Sequence, residues 1–360
     1  MFKYGLADFN DSNEIKALID SFTKLGGQRT DSPDWDLLWY FRHEPPTELY
    51  KNISELRRIN HIPGIHVLTN KWNLFTHLSH HWETGGLDNK TNPIRRYFPN
   101  SWKYPEEKEE IRRRLQHQPE KPLILKLMNT ANGVAMELLQ HENELPDHGQ
   151  WLAQEYLDDP HLINDRKYIL QVFLLITSSN PLTAYLYQDG EADLAVQPYS
   201  TDPEQRKNPG IHIATTVLQT HQADFDLAKH CLTLKQWREH VTETTNATHV
   251  WTEIETILKE TLRAVAEPLR ETANKQLAHP EQCFELLAVD IMLDSTLKPW
   301  LIECNRSASM QTQYSGYLKS TLLKDALALI LERRQTLSDT PAGQAAPQST
   351  SEFGGFKRIT

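Results

Sequence analysis

The chain has 360 residues, enough for two or three domains with a buried core. It carries 48 acidic against 38 basic side chains, a formal charge of −10. That balance argues against nucleic acid as a partner, because phosphate contacts need a basic surface. Three cysteines (Cys231, Cys283, Cys304) show no CxxC spacing and cannot all pair, so a reducing, cytoplasmic setting is expected. The opening MFKYGLADFNDSNEIKALI lacks the uninterrupted apolar core of a signal peptide. No stretch approaches the ~18 apolar residues of a membrane span, so no membrane partner is expected. The sequons at Asn52, Asn246 and Asn305 therefore carry little weight.

Taken in order, residues 1 to about 100 are rich in aromatics and histidines, with few long apolar runs. Ser12 to Leu25 reads as an amphipathic helix, with Asp11 or Ser12 as its cap. Three segments follow: Asp34-Trp35-Asp36-Leu37-Leu38-Trp39, then Arg57 to Gly64, then Leu68-Thr69-Asn70-Lys71-Trp72. Asn60-His61 reads as a turn that caps its own backbone. Residues 84 to 101 form a turn-rich link. Pro105 to Gln118 is a predicted helix whose acidic residues precede its basic ones, as the macrodipole favours, and its charge run reads as a solvated face. Strand signals then crowd together over Pro122–Leu127, Val134–Leu139, Trp151–Leu157, Lys167–Thr177 and Leu182–Gln188. Glu253 to Gln276 reads as a long helix containing Pro268, and Gly316 to Gln335 as a closing helix. From Thr336 to Thr360 the composition, rich in Ser, Thr, Pro, Gly, Gln and Ala, predicts a disordered tail.

Between those two helices lies the most informative stretch, FELLAVDIMLDSTLKPWLIECNRSASM, from Phe284 to Met310. Two apolar runs bracket a polar turn and predict a β-hairpin. If Ser295 pairs with Lys298, Asp290 falls directly opposite Glu303, and Asn305 lies on the same face as Glu303. Two carboxylates and an amide oxygen on one patch form an all-oxygen set suited to Mg²⁺, which binds one or two carboxylates together with nucleotide phosphates. The alternative is a buried strand pair whose acids sit at its ends or on a solvated face. Asp290 weighs against that alternative, since a mid-strand carboxylate among large apolar residues is costly to bury unless paired or metal-bound.

The hairpin also resembles the C-terminal signature of the tubulin-tyrosine-ligase-like family, roughly D-x-x-x-D-x-x-L-K-P-W-L-L-E-x-N-x-S-x-S. Asp290, Asp294, Leu297 to Leu301, Glu303, Asn305, Ser307 and Ser309 carry the match. The three N-terminal segments resemble the family's D-W-N-x-x-W, N-H-F-P-G and T-x-K-x-x-L segments in the same order, with Ile62 in place of the aromatic. The resemblance spans residues 30 to 330 or so. It implies an α+β, ATP-grasp fold in which two α+β subdomains grip ATP, preceded by a small N-terminal α/β domain. Its boundaries would be 1–101 for the N-terminal domain, 102–335 for the ATP-grasp core (about 102–180 central, about 181–335 C-terminal) and 336–360 for the tail.

It further implies ATP and Mg²⁺ as cofactors. Lys126 would face the phosphates, although read alone it is equally a strand-end lysine whose stem covers apolar surface. Asn129 to Gly133 would be the loop over the phosphates, with one glycine where the family has two. Gln154-Glu155-Tyr156-Leu157 resembles the adenine hinge Q-x-Y-I and otherwise reads as a buried strand. Lys167, within Arg166-Lys167-Tyr168, would be the second phosphate-facing cation. Asp290, Glu303 and Asn305 would hold the metal, with Lys126, Lys167 and Glu303 as the catalytic set. The chain departs from the family at Gln171 and near Asp193, where arginines are expected, and at Thr215, where His212-Ile213-Ala214-Thr215 lacks the asparagine of H-L-T-N. The implied activity is ATP-dependent joining of an amine donor to a peptide or protein carboxylate acceptor through an acyl phosphate. The alternatives are a nucleotide- or partner-binding module without turnover, and a phosphotransferase. Cys304, between two of the metal-ligand candidates, should point to the core by strand alternation.

Overall fold

The first sixty residues contribute four short parallel strands. These are β1 (Phe2–Ala7), β2 (Gly27–Arg29), β3 (Leu37–Tyr40) and β4 (Arg58–Asn60), in the computed structural model of the chain. The structure describes residues 1–9, 13–41, 44–84, 97–128, 136–244, 249–306, 312–340 and 350–360. Parallel neighbours need a crossover, and helix Asn13–Lys24 supplies the one between β1 and β2. Asp11 and Ser12, the candidate caps, lie outside the described residues.

A second, wholly antiparallel sheet follows. It comprises β5 (Ser101–Tyr104), β6 (Leu123–Leu127), β7 (Met136–Leu139) and β8 (Trp151–Glu155), in the spatial order β5-β8-β6-β7. Helix Lys108–His117 lies across it and buries Ile111 and Leu115 against Tyr104, Leu123, Leu125 and Trp151.

The remaining strands build the long sheet: β9 (Leu162–Ile163), β10 (Arg166–Ser179), β11 (Leu182–Leu194), β12 (Cys231–Thr233), β13 (Cys283–Leu293) and β14 (Pro299–Arg306). Strand β13 is buried along its whole length. On one side it pairs with β10. On the other it pairs with β4 at Cys283–Phe284 and with β14 over Leu287–Leu293, so the N-terminal strands continue the same sheet.

Strand alternation sorts β13 into two faces. Leu287, Val289, Ile291 and Leu293 pack with Ile254, Leu258, Leu262 and Leu269 of helix Val250–Gln276. Phe284, Leu286 and Ala288 pack with Leu322, Leu323 and Ile330 of helix Thr312–Asp339. Asp290 continues the second row. Its next neighbour on that face, Met292, belongs instead to a small separate cluster with Ile169, Ala195 and Ala214. A mid-strand carboxylate is tolerated there because Asp290 lies past the end of the helix-covered apolar row.

Two sequence expectations need correction. Tyr187-Gln188-Asp189-Gly190, which stands where the resembled family has a Y-x-x-G turn, is a bulge inside β11: Val172 pairs with Gly190 and Leu174 with Leu186, so three residues on β11 oppose Phe173 alone. Gly190 is required there, since a Cβ would come within 2.4 Å of the Gln171 carbonyl oxygen. The tail is also not disordered throughout. The closing helix runs on to Asp339, and residues 350–360 form a hairpin, β15 (Glu352–Phe353) and β16 (Phe356–Arg358), that extends the sheet beside β11. Phe356 is 1% exposed and meets the Tyr187 ring at 4.9 Å. Lys357 Nζ bonds both carboxylate oxygens of Glu255, at 2.9 and 3.0 Å. Averaged composition concealed the apolar alternation of Phe356 and the partly and fully buried neighbours around it. Residues 341–349 lie outside the described residues.

Candidate active site

The predicted hairpin forms, and Asp290 does pair with Glu303. The turn that achieves this differs from the expected one. Asp294 N–H donates to the Lys298 carbonyl at 3.1 Å, leaving the three-residue loop Ser295-Thr296-Leu297, with Leu297 at φ +66°. That register pairs Ile291 with Leu301. One extra residue, Ile302, then bulges out and restores the Asp290–Glu303 pairing. Cys304 turns into the core, as alternation predicts, and is 3% exposed.

The two carboxylates meet at the Asn305 amide, whose Nδ2 donates to Asp290 Oδ2 at 3.2 Å and to Glu303 Oε1 at 3.0 Å. Gln171 Nε2 donates to the other Asp290 oxygen at 3.2 Å, so the departure from arginine here leaves a neutral partner. Burial, reinforced by the charge of Glu303, pushes the Asp290 carboxyl well above the usual carboxylate range. Burial acts the same way on Glu303, but the charges of Lys71 and Lys126 outweigh it and hold that carboxyl low. Lys71 Nζ lies 3.1 Å from Glu303 Oε2. It enters from helix Lys71–Thr84, and sequence reasoning gave it no chemistry.

Two further cations face the same space. Lys126, at the penultimate position of β6, is 3% exposed and donates to Gln154 Oε1 at 2.7 Å, while Gln154 Nε2 donates to Ser101 Oγ at 3.0 Å. Lys167, on β10, is 2% exposed and donates to the Tyr156 hydroxyl at 2.8 Å. Both partners are neutral. Burial lowers Lys126 to about 8; burial, aided by the nearby charge of Lys126, lowers Lys167 to about 7.

A single cleft brings these groups together. Lys126, Gln154, Glu155, Tyr156, Leu157, Lys167, Asp290 and Glu303 all line it, and Asn305 adjoins through the two carboxylates. Its apolar walls include Ile124, Met136, Ile169, Met292 and Ile302. The hinge residues divide their roles. The N–H groups of Glu155 and Tyr156 are donated to the carbonyls of Asn100 (2.8 Å) and Pro122 (3.1 Å). The Glu155 carboxylate engages Asn100 (2.9 Å) and Arg114 (3.3 Å). Gln154 holds Lys126, and Tyr156 holds Lys167. Asn129 to Gly133, Ser307 and Ser309 lie outside the described residues.

The donor set fits a divalent cation. Two buried carboxylates facing each other repel, and a hard cation between them removes that repulsion while Asn305 offers its oxygen by a half-turn of the amide. Among the described residues no third His, Cys, Asp or Glu joins them, as suits an ion that completes its shell from phosphate and water. The lysines fit a polyanion, because among the described residues neither buried ammonium has a carboxylate bonded to it.

This arrangement gives a signed pH dependence. A phosphate-bearing ligand raises both depressed lysine pKa values, so binding takes up protons between the free and bound values. Affinity for ATP without divalent cation should therefore fall as pH rises through the values near 7 and 8. Calorimetry at pH about 8 in buffers of different protonation enthalpy should register net proton uptake. Net release would contradict the assignment.

A model of the tubulin-tyrosine ligase family matches residues 50–338. Human tubulin monoglutamylase TTLL4 is 25% identical over 322 residues, covering 86% of this chain and 26% of that protein. Human tubulin polyglutamylase TTLL7 is 28% identical over 334 residues, covering 86% of this chain and 37% of that protein. For human tubulin polyglutamylase TTLL5 the identity is 25% over 310 residues, with 83% and 23% covered. The chain thus spans 23 to 37% of the length of these relatives. Because the family model covers most of the chain, and every residue lining the cleft falls within it, the chain belongs to the tubulin-tyrosine ligase family.

Proposed function

We propose that the chain is an ATP-grasp, ATP-dependent carboxylate–amine ligase acting on a peptide or protein carboxylate. One observation carries this reading: two buried ammonium groups with neutral partners and a buried carboxylate pair line one cleft. That is the charge pattern complementary to a metal-bound polyphosphate. Asp290, Glu303 and Asn305 would hold Mg²⁺, which when bound neutralises phosphate charge and orients it. Lys126 and Lys167 would face the phosphates, and Leu157 with the apolar wall would hold the base. An acceptor carboxylate oxygen forms a bond to the γ-phosphorus as ADP leaves. The amine then forms a bond to the acyl carbon, giving up a proton, as phosphate leaves. The residues named supply position and charge; no side-chain nucleophile is required.

The relatives' names make a glutamate donor and a tubulin carboxylate acceptor the first pair to try. Gln171 beside Asp290, and the buried Asp193 near it, favour a second reading on the substrate side: another acceptor or donor, or binding without turnover. Thermal unfolding with and without Mg²⁺ and a non-hydrolysable ATP analogue tests the site. A ligand held only by the native state stabilises it by about 2.7 kcal/mol at a hundred times its Kd. Mg²⁺-dependent stabilisation that Glu303→Gln abolishes is expected, and no shift in a folded wild type would overturn the reading. Products then discriminate: amide with ADP marks a ligase, phosphorylated acceptor with ADP a phosphotransferase, and binding without ADP a module that does not turn over.

A further inference from the structure

Lys167 does not reach its place unaided. The Tyr156 hydroxyl that accepts from it also lies 2.9 Å from His212 Nδ1, and His212 Nε2 lies 3.2 Å from the Gln205 carbonyl oxygen. A set of protons that satisfies these contacts starts from a charged Lys167. The ammonium donates to the hydroxyl, the hydroxyl donates to an unprotonated Nδ1, and Nε2–H donates to the carbonyl. The imidazole must be neutral for this. Burial, followed by the charges of Lys167 and Arg206, lowers its pKa to about 4, against one raising contribution from the Gln205 carbonyl.

The sequence locks the ring. Asn208 Oδ1 caps the short helix Pro209–His212 by accepting from Gly210 N–H at 3.0 Å. The rings of Tyr156 and Tyr199 meet the imidazole edge-on, each with centroids 5.8 Å away. The Tyr199 hydroxyl is in turn tied to the Asp158 carbonyl at 2.8 Å. His212 itself lines the cleft.

We propose that His212 is a positioning residue for Lys167: through the Tyr156 hydroxyl it fixes the ammonium on the cleft wall while adding no charge there. A carboxylate in the place of that hydroxyl would trap the lysine in an ion pair, whereas a neutral acceptor holds it yet leaves its charge for an incoming anion. The value of this placement for phosphate binding rests on the ligase reading above, but the placement itself does not.

The test separates the two. Competitive acylation of the unliganded protein, read by mass spectrometry, reports the reactivity of Lys167 relative to the other lysines. His212→Phe is expected to raise it about tenfold. His212→Asn, whose side-chain oxygen can replace Nδ1 as acceptor, is expected to stay within about twofold of wild type. In a Tyr156→Phe background the substitution at 212 should have no further effect, since the relay is already cut. Equal changes from His212→Phe in both backgrounds, or no rescue by Asn, would overturn the proposal in favour of a packing role. In parallel, the Kd for ATP should follow the same pattern across the variants. Failure of the wild type to bind ATP removes the ligase reading, while the acylation pattern still decides the positioning one.

Discussion

Replacing Asp290 by Asn should leave the protein at least as stable as wild type without divalent cation and abolish its response to Mg²⁺. The Asp290 carboxyl is raised well above its ordinary range by burial and by Glu303. A carboxyl whose folded pKa is raised costs stability at pH values above its unfolded pKa, and the cost grows by about 1.4 kcal/mol per pH unit until the folded pKa is reached. Asparagine does not titrate, so the advantage of the variant should appear as pH rises from about 4. Its amide can still accept from Gln171, and a turn of the Asn305 amide lets it donate on the other side. Any turnover should fall by a factor on the order of 10² to 10³, the usual loss when a group that stabilises transferred charge is removed. Urea denaturation across pH, with and without Mg²⁺, checks the first part and ADP release the second. A variant markedly less stable than wild type at neutral pH and still stabilised by Mg²⁺ would contradict the site.

The largest loss of stability is expected far from the cleft, at Phe356. Its ring is 1% exposed and lies against Tyr187, and the hairpin that carries it is fastened by Gly355 N–H to Asp325 Oδ2 at 2.9 Å and by Lys357 to Glu255. Phe356→Ala removes a buried ring at a cost of about 3–5 kcal/mol. Chemical denaturation should show a lower midpoint with little change of slope. A loss below about 1 kcal/mol would mean that the hairpin is not seated on the sheet. The ion pair with Glu255 adds less, because the lysine side chain is 42% exposed.

The parts of the site that lie on strands were legible because strand alternation is a strict rule. Asp290, Glu303 and Asn305 share a face by spacing alone, and Cys304 takes the other. The lysines on β6 and β10 were legible through resemblance, since a strand lysine alone carries no address. Lys71 and His212 were not assigned chemistry: each acquires its role from a partner far along the chain, Glu303 for one and Tyr156 for the other. Local signals failed where a glycine serves two purposes. Gly190 looked like a turn residue, but its missing side chain lets one strand approach another.

The departure at Gln171 also gains a physical form. Glu191, Gln171, Asp290 and Glu303 stand directly opposite one another across four adjacent strands. Lys319 closes one end of the row at 3.5 Å from Glu191, and Lys71 closes the other at Glu303. Burial raises the Glu191 carboxyl to about 7, against the lowering effect of Lys319.

The extra residue at Ile302 makes the hairpin behave like a vernier. Loop length sets one register near the turn, and the bulge resets it by one place before the carboxylates are reached. The distal loop and the carboxylate pair are thereby mechanically uncoupled. Deleting Ile302 while keeping the three-residue loop would deliver the same Asp290–Glu303 pairing in an unbroken ladder, since Ile291 already pairs with Leu301. What such a change would remove is an apolar side chain from the cleft wall, altering the shape of the cavity without touching its charge.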